Sequence, residues 1–199
     1  MTQIIQIYFK FVSDDSILNN DQTELAKNTW LKYNNIRNKN THYISYLMKK
    51  HFINNSSHEI KYNTYKKPII DSGFFNISHD GNLCVGIFDQ NHDIGIDVIH
   101  VRRNISSRLC KKIFNDDEPK DIFQFSRKEA YIKLIGKTIF SITFSDIKIM
   151  NGKIYYKGIL EPYDIFETVF NEYFICVIGK FNSTEFIFKE FEISTNNHI

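Results

Sequence analysis

Two uninterrupted apolar runs, Leu83–Phe88 and Tyr173–Gly179, limit what this chain can fold into more than any other feature. Each carries one cysteine and one valine and is bounded by turn residues, the pattern of a short apolar strand. Their likeness points to two related halves that meet near residues 90–100. No stretch rich in Pro, Gly or Ser separates the halves, so residues 1–93 and 94–199 are expected to pack as one compact unit. A chain of 199 residues buries roughly 70% of its unfolded surface and needs no disulfide or metal merely to stay folded.

The remaining periodicities fill in a mixed α+β order. Ile5, Ile7, Phe9 and Phe11 alternate with Ile4, Gln6, Tyr8 and Lys10; this reads as an opening strand and not a signal peptide, since the run lacks a basic leader and breaks at Lys10. Residues 21–53 read as helix, in one piece or in two around Asn34-Asn35, with Asp21 or Thr23 as the cap. Tyr43, Ile44, Leu47, Met48 and Phe52 form its apolar face. A polar loop over 54–73 holds Lys66-Lys67 before Pro68. Phe74–Ser78 and Leu83–Phe88 are expected to form a hairpin around His79-Asp80-Gly81-Asn82, followed by a strand over Ile94–Ile99. In the second half, Ser106–Phe114 reads as a short helix and Asp121–Ile135 as a longer one ended by Gly136. Strands are then expected at 144–150, 153–157, 166–170, 173–179 and 186–193.

Composition excludes several classes of function. Hydrophobic residues make up 42% of the chain and aromatics 15%, which rules out wholesale disorder. A net charge of +2 is not that of a dedicated nucleic-acid binder, so any charge-driven site must be local. No run approaches the ~18 apolar residues of a membrane span. Cys84, Cys110 and Cys176 are scattered and form no CxxC pair, as expected of reduced thiols in a cytoplasmic protein.

Three stretches carry chemistry. In Phe75-Asn76-Ile77-Ser78-His79, taken alone, the Ser-His pair reads as turn chemistry and capping. In Ile94-Gly95-Ile96-Asp97-Val98, strand alternation sets Gly95, Asp97 and Ile99 on one face and Ile94, Ile96 and Val98 on the other. An aspartate in so apolar a strand is costly unless it is paired or metal-bound; by itself it reads as facing solvent or pairing with Arg102 or Arg103. Ser126-Arg127-Lys128-Glu129-Ala130-Tyr131-Ile132-Lys133 puts Glu129 and Lys133 four apart on one helix face, the spacing of an ordinary surface ion pair, with Lys128 off that face.

Together, and in this order, FNISH, GID and FSRKEAYIKLIG resemble the motifs of the Sfp-type 4′-phosphopantetheinyl transferases, over residues 66–137. The resemblance implies a pseudo-two-fold fold of two similar α/β halves with coenzyme A in the cleft between them. It implies an enzyme that moves the phosphopantetheine arm of CoA onto a serine of an apo acyl- or peptidyl-carrier domain and releases 3′,5′-ADP. By motif, Asp97 and Glu129 would be Mg²⁺ ligands, with Glu129 also helping to deprotonate the serine, and Lys133 would neutralise the bridging phosphates. Ser78 and His79 would hold a CoA phosphate, and Lys67 would lie along the CoA cleft. The 3′-phosphate would be met by one or more of Lys32, Arg37, Lys39, His42 and Lys50. The expected partners are CoA and a carrier protein of fatty-acid, polyketide, peptide or lysine (aminoadipate reductase) biosynthesis, with no nucleic acid or membrane, and the protein is expected to be a monomer.

The chemistry fits this implication, because transfer of a phosphoryl group needs charge neutralisation and a positioned nucleophile more than covalent catalysis. Two departures from the family pattern stand out. Ile99 stands where many members carry a third carboxylate, a residue also lacking in members of the branch that activates aminoadipate reductase, and Phe125 replaces the usual Trp. The alternative expectation is a CoA- or carrier-binding module without catalysis, which leaves Glu129 and Lys133 unused.

Overall fold

The computed structural model of the chain describes residues 3–12, 36–54, 61–65, 67–70, 73–105, 121–181 and 184–193. The helix expected over Ser106–Phe114, and the 21–35 part of the first helix with its cap, lie outside them. Strand β1 (Gln3–Phe11) leads to helix α1 (Ile36–Asn54), a small hairpin β2 (Lys61–Tyr62) and β3 (Pro68–Ile69), then β4 (Phe74–Asp80) and β5 (Leu83–Asp89). Strand β6 (Gly95–His100) leads to helix α2 (Ile122–Leu134), the meander β7 (Ile147–Met150), β8 (Lys153–Tyr156) and β9 (Ile159–Leu160), and then β10 (Asp164–Phe170) and β11 (Tyr173–Gly179). Strand β12 (Thr184–Glu190) closes the described chain.

The fold is mixed α+β, and one order of elements occurs twice: a strand, a helix, and a hairpin whose second strand pairs antiparallel with the first. In one sheet, ordered β12-β1-β5-β4, β5 joins β1 to β4; in the other, ordered β10-β11-β6, β11 joins β10 to β6. The two apolar runs singled out in the sequence are thus the inner strands of two different sheets. Strand β12 returns to pair in parallel with β1, so the end of the chain completes the first sheet.

Their unbroken apolarity follows from a layered stack, α1 on the first sheet, the first sheet on the second, and the second sheet on α2. Leu83, Val85 and Ile87 meet Ile94, Ile96, Val98, Ile175 and Val177 between the sheets. The alternate side chains face the helices: Cys84 with Ile44, Met48 and Phe52 of α1, and Ile99, Phe174, Cys176 and Ile178 with Ala130, Tyr131 and Leu134 of α2. A strand covered on both faces has no polar side to show. Asp97 lies on the α2-facing side of β6.

The sheets meet edge to edge along β4 and β6, and side chains stitch the seam. Asn76 Oδ1 accepts from Ile96 N at 3.2 Å, Ser78 Oγ from Val98 N at 3.3 Å, and Asp80 Oδ2 from His100 N at 2.8 Å. Every second residue of β4 therefore satisfies every second amide of β6, a buried edge that would otherwise carry orphan donors. His79 and Asp80 belong to strand β4, not to the turn expected there: they pair with Cys84 and Leu83, and the turn shrinks to Gly81-Asn82, with Gly81 at φ +56°.

Several expected boundaries shift for local reasons. The polar stretch 54–73 contains the β2–β3 hairpin, which two residues per strand are too short to announce. Phe144–Asp146 forms a 3₁₀ turn before β7, and the positive-φ pairs Asn151-Gly152 and Lys157-Gly158 turn the meander, adding the exposed strand β9 that the reading lacked.

Helix α2 starts at Asp121, whose carboxylate accepts from Phe123 N. It ends as expected at Gly136, where φ is +66° and Gly136 N and Lys137 N donate back to Lys133 O and Ile132 O. It lies so close to β6 that a Cβ on Gly95 would stand 2.2 Å from Ala130 O. Gly95→Ala is expected to push helix and strand apart and cost about 3 kcal/mol, read as a lowered denaturant midpoint; a midpoint within error of the parent would refute this contact.

Candidate functional site

Asp97 is 3% exposed, and both of its carboxylate oxygens accept hydrogen bonds. Oδ1 accepts from Ser78 Oγ at 2.9 Å and from Lys133 Nζ at 2.6 Å, and Oδ2 accepts from Ser126 Oγ at 2.8 Å. It neither faces solvent nor pairs with the neighbouring arginines: Arg103 bonds Asp80 at 2.6 Å and Arg102 bonds Glu172 at 2.8 Å. The reason is alternation, which aims Asp97 at α2, where Ser126 and Lys133 wait two turns apart. Ser78 joins the same knot. It donates to Asp97 and accepts from Val98 N and from Lys133 Nζ, the last at 2.8 Å, so its one proton and both lone pairs are in use.

Glu129 lies one turn before Lys133, with a quarter of its side chain exposed. The expected ion pair is present but loose, 3.9 Å between Oε1 and Nζ, because the ammonium makes its short bonds to Asp97 and Ser78. Burial, and then the charge of Asp97, push the Glu129 carboxyl up to about 7, against the pull of Lys133 and Arg103. Burial alone would lower the Lys133 ammonium, but the Asp97 and Glu129 carboxylates outweigh it and hold it above its ordinary value. Lys128, off this face, is buried and donates to Phe144 O at 3.3 Å, a role in the core.

These groups open into a cleft of about 580 Å³ at the seam between the sheets. His79 and His42 line one side with ring centres 5.0 Å apart, and Arg103, Phe125 and Ile139 also border it. Burial, with the nearby His42 and Lys133, holds the His79 imidazole down to about 4, and burial lowers His42 as well. Both rings are therefore neutral near pH 7 and add no positive charge to the cleft.

The structure brings Ser78, His79, Asp97, Glu129 and Lys133 to one cleft and sets Lys67 elsewhere, on a separate small cavity. Among the helix cations named from sequence, His42 reaches the cleft, whereas Lys50 is exposed with its ammonium over the Tyr46 ring. Lys32 lies outside the described residues, as do the side chains of Arg37 and Lys39. Ile99 is 1% exposed and packed in the core under α2, and it also borders the cleft on the Asp97 face of β6. Sequence reasoning passed over Ser126, Asn76, Asp80 and Arg103. Ser126 had a signal, since its spacing of three and seven from Glu129 and Lys133 puts it on their face; the seam acceptors had none, because their role depends on which edge strands meet.

A pair of carboxylates bridged by one ammonium, beside neutral imidazoles and an arginine, is equipped to bind a phosphorylated ligand and to take a proton from a nucleophile. Among the described residues no group of three His, Cys, Asp or Glu is placed to hold a metal ion, and no helix is long and apolar enough to cross a membrane. No protein-family model and no curated protein matches the chain.

Proposed function

We propose that this protein is a 4′-phosphopantetheinyl transferase of the Sfp type, moving the phosphopantetheine arm of CoA to a serine of an apo acyl- or peptidyl-carrier domain. The observation that carries the reading is convergence: the FNISH, GID and SRKEAYIK stretches, far apart in sequence, meet in one cleft through Ser78, Asp97, Glu129 and Lys133. On this reading the repeated strand–helix–hairpin order is the family's pair of pseudo-symmetric halves, and CoA lies at their seam.

In the reaction the serine oxygen attacks the pantetheine-bearing phosphorus of CoA, and the bond from that phosphorus to the bridging oxygen breaks. The electron pair leaves with 3′,5′-ADP. Glu129, whose carboxyl borders the cleft, takes the serine proton. Lys133 has three donors, of which Asp97 and Ser78 use two, leaving one for the pyrophosphate whose charge grows as the bond breaks. Ser78 and Ser126 hold Asp97 in place, while His79 donates to a CoA phosphate.

On this reading Mg²⁺ is the expected ion, since Asp97 and Glu129 put two carboxylates, oxygen donors of the kind Mg²⁺ takes, at one cleft. Asp97 and Glu129 would hold the ion, which draws its other ligands from phosphate and water and supplies charge neutralisation on the phosphate oxygens.

The test is mass spectrometry of apo carrier proteins from fatty-acid, peptide-synthetase and aminoadipate-reductase systems after incubation with this protein, CoA and Mg²⁺. A gain of one phosphopantetheine per carrier is expected for at least one of them. Binding of CoA with no gain on any carrier would transfer the case to the alternative, a CoA- or carrier-binding module without catalysis. Absence of binding to CoA and to every carrier would defeat both.

A further inference from the structure

We infer that Lys67 is a positioning residue that clips the carbonyl end of helix α2 to the approach of strand β6, and not a ligand of CoA; the inference rests on the transferase reading only for its kinetic test. The Lys67 ammonium donates to Leu134 O at 2.6 Å and to Asp93 Oδ1 at 3.2 Å. Leu134 is the last residue of the helix that carries Glu129 and Lys133, and Asp93 stands two residues before the strand that carries Asp97. One side chain thus spans the two elements whose relative placement sets the carboxylate pair.

The clip is built, not incidental. The last carbonyls of a helix have no partner within it, and a cation there meets the negative end of the helix dipole. Gly136 N and Lys137 N already satisfy Lys133 O and Ile132 O, so Leu134 O is one of those left for an outside donor. Asn63 makes the second attachment: its Nδ2 donates to Gly136 O at 2.8 Å, while its Oδ1 accepts from Tyr65 N and Lys67 N at 2.9 Å each. The turn between β2 and β3 is folded by Asn63 into a shape that presents both donors to the helix end. This gives the unanticipated hairpin a purpose.

Geometry also argues against a phosphate role. Lys67 is 13% exposed at its side chain and borders a cavity of about 230 Å³ that shares no lining residue with the cleft holding Asp97 and Glu129. The Asp93 carboxylate beside it opposes a second anion. Burial lowers the Lys67 ammonium, and Asp93 restores part of that loss.

The experiment compares Lys67→Met, which keeps the apolar stem, with Lys67→Arg, which can still donate to both acceptors. CoA affinity is measured by calorimetry, steady-state kinetics by carrier loading, and helix-end protection by hydrogen exchange at the Ile135, Gly136 and Lys137 amides. Lys67→Met is expected to lower kcat about tenfold with Kd and KM for CoA within about twofold, and to speed exchange at the three amides. Lys67→Arg should recover most of kcat and of the protection. A tenfold loss of CoA affinity with kcat unchanged would overturn the inference and return Lys67 to the CoA cleft. Unchanged exchange in Lys67→Met would overturn it too, because no clip would then exist. A parent protein that binds no CoA would defeat the transferase reading alone, and exchange would still decide the clip.

Discussion

Asp97→Ala is expected to destabilise the fold and, on the transferase reading, to stop transfer. The variant leaves Ser78 Oγ and Ser126 Oγ without their acceptor and Lys133 without its 2.6 Å counter-charge, in a pocket where Asp97 itself was 3% exposed. Removing one partner of a buried ion pair typically costs 3–5 kcal/mol, far more than the pair is worth against an apolar replacement. Lys133 keeps some solvent contact and has Glu129 at 3.9 Å as a second partner, which tempers the loss to about 3 kcal/mol. Carrier loading should fall by about a thousandfold or more, equal to roughly 4 kcal/mol of transition-state stabilisation. Denaturant midpoints and mass-spectrometric loading rates check the two effects separately. A stable variant with unaltered loading would mean that the knot around Asp97 is ornamental; an unstable one that still loads carrier at the parent rate would keep the structural role and remove the catalytic one.

The difference between what the sequence yields at Asp97 and what it yields at Ser78 is physical. Alternation along β6 is a local property, so the face that Asp97 shares with Gly95 and Ile99 can be read from six residues. The helix from Asp121 to Gly136 is likewise local, because its cap, its Glu129–Lys133 spacing and its glycine stop lie within one element. The doubled strand–helix–hairpin order is foreshadowed by the two matching apolar runs. The seam is different. That Asn76, Ser78 and Asp80 serve the amides of Ile96, Val98 and His100 depends on two sheet edges meeting, and no periodicity within either strand reports a neighbour in another sheet. The same holds for Lys67, whose partners Leu134 and Asp93 are joined to it only by the tertiary fold. Sequence spacing predicted the ion pair of Glu129 with Lys133 correctly but not its rank, since a stronger partner reaches the ammonium from β6. Of the ordinary roles that each motif suggests alone, only the Glu129–Lys133 pair is present, while Ser78 is a seam residue and a holder of Asp97 instead of a turn cap.

Glu129→Gln is expected to abolish transfer while making the ligand-free protein more stable, the opposite sign from Asp97→Ala. The Glu129 carboxyl sits at about 7 in the folded protein against an ordinary 4.5, raised first by burial and then by Asp97. Between those values the unfolded chain has released this proton while the folded protein keeps it. Stability from this group is therefore full below about pH 4.5, falls as pH rises to about 7, and stays low above it. Glutamine carries no charge at either end, so the variant should match the parent near pH 4 and exceed it near pH 8 by about 2 kcal/mol. For a chain of this size that is a rise in Tm on the order of 5 °C. On the transferase reading the carboxylate at 129 takes the serine proton, which a side-chain amide cannot do, so loading should vanish at every pH. Addition of Mg²⁺ with CoA should stabilise the parent at pH 8 more than the variant, because only the parent offers two carboxylates to the ion. Thermal melts at pH 4 and pH 8, with and without CoA and Mg²⁺, carry the measurement. If Glu129→Gln is no more stable than the parent at pH 8, the carboxyl is not held in the strained state that its burial beside Asp97 requires; if it still loads carrier, the base is another group.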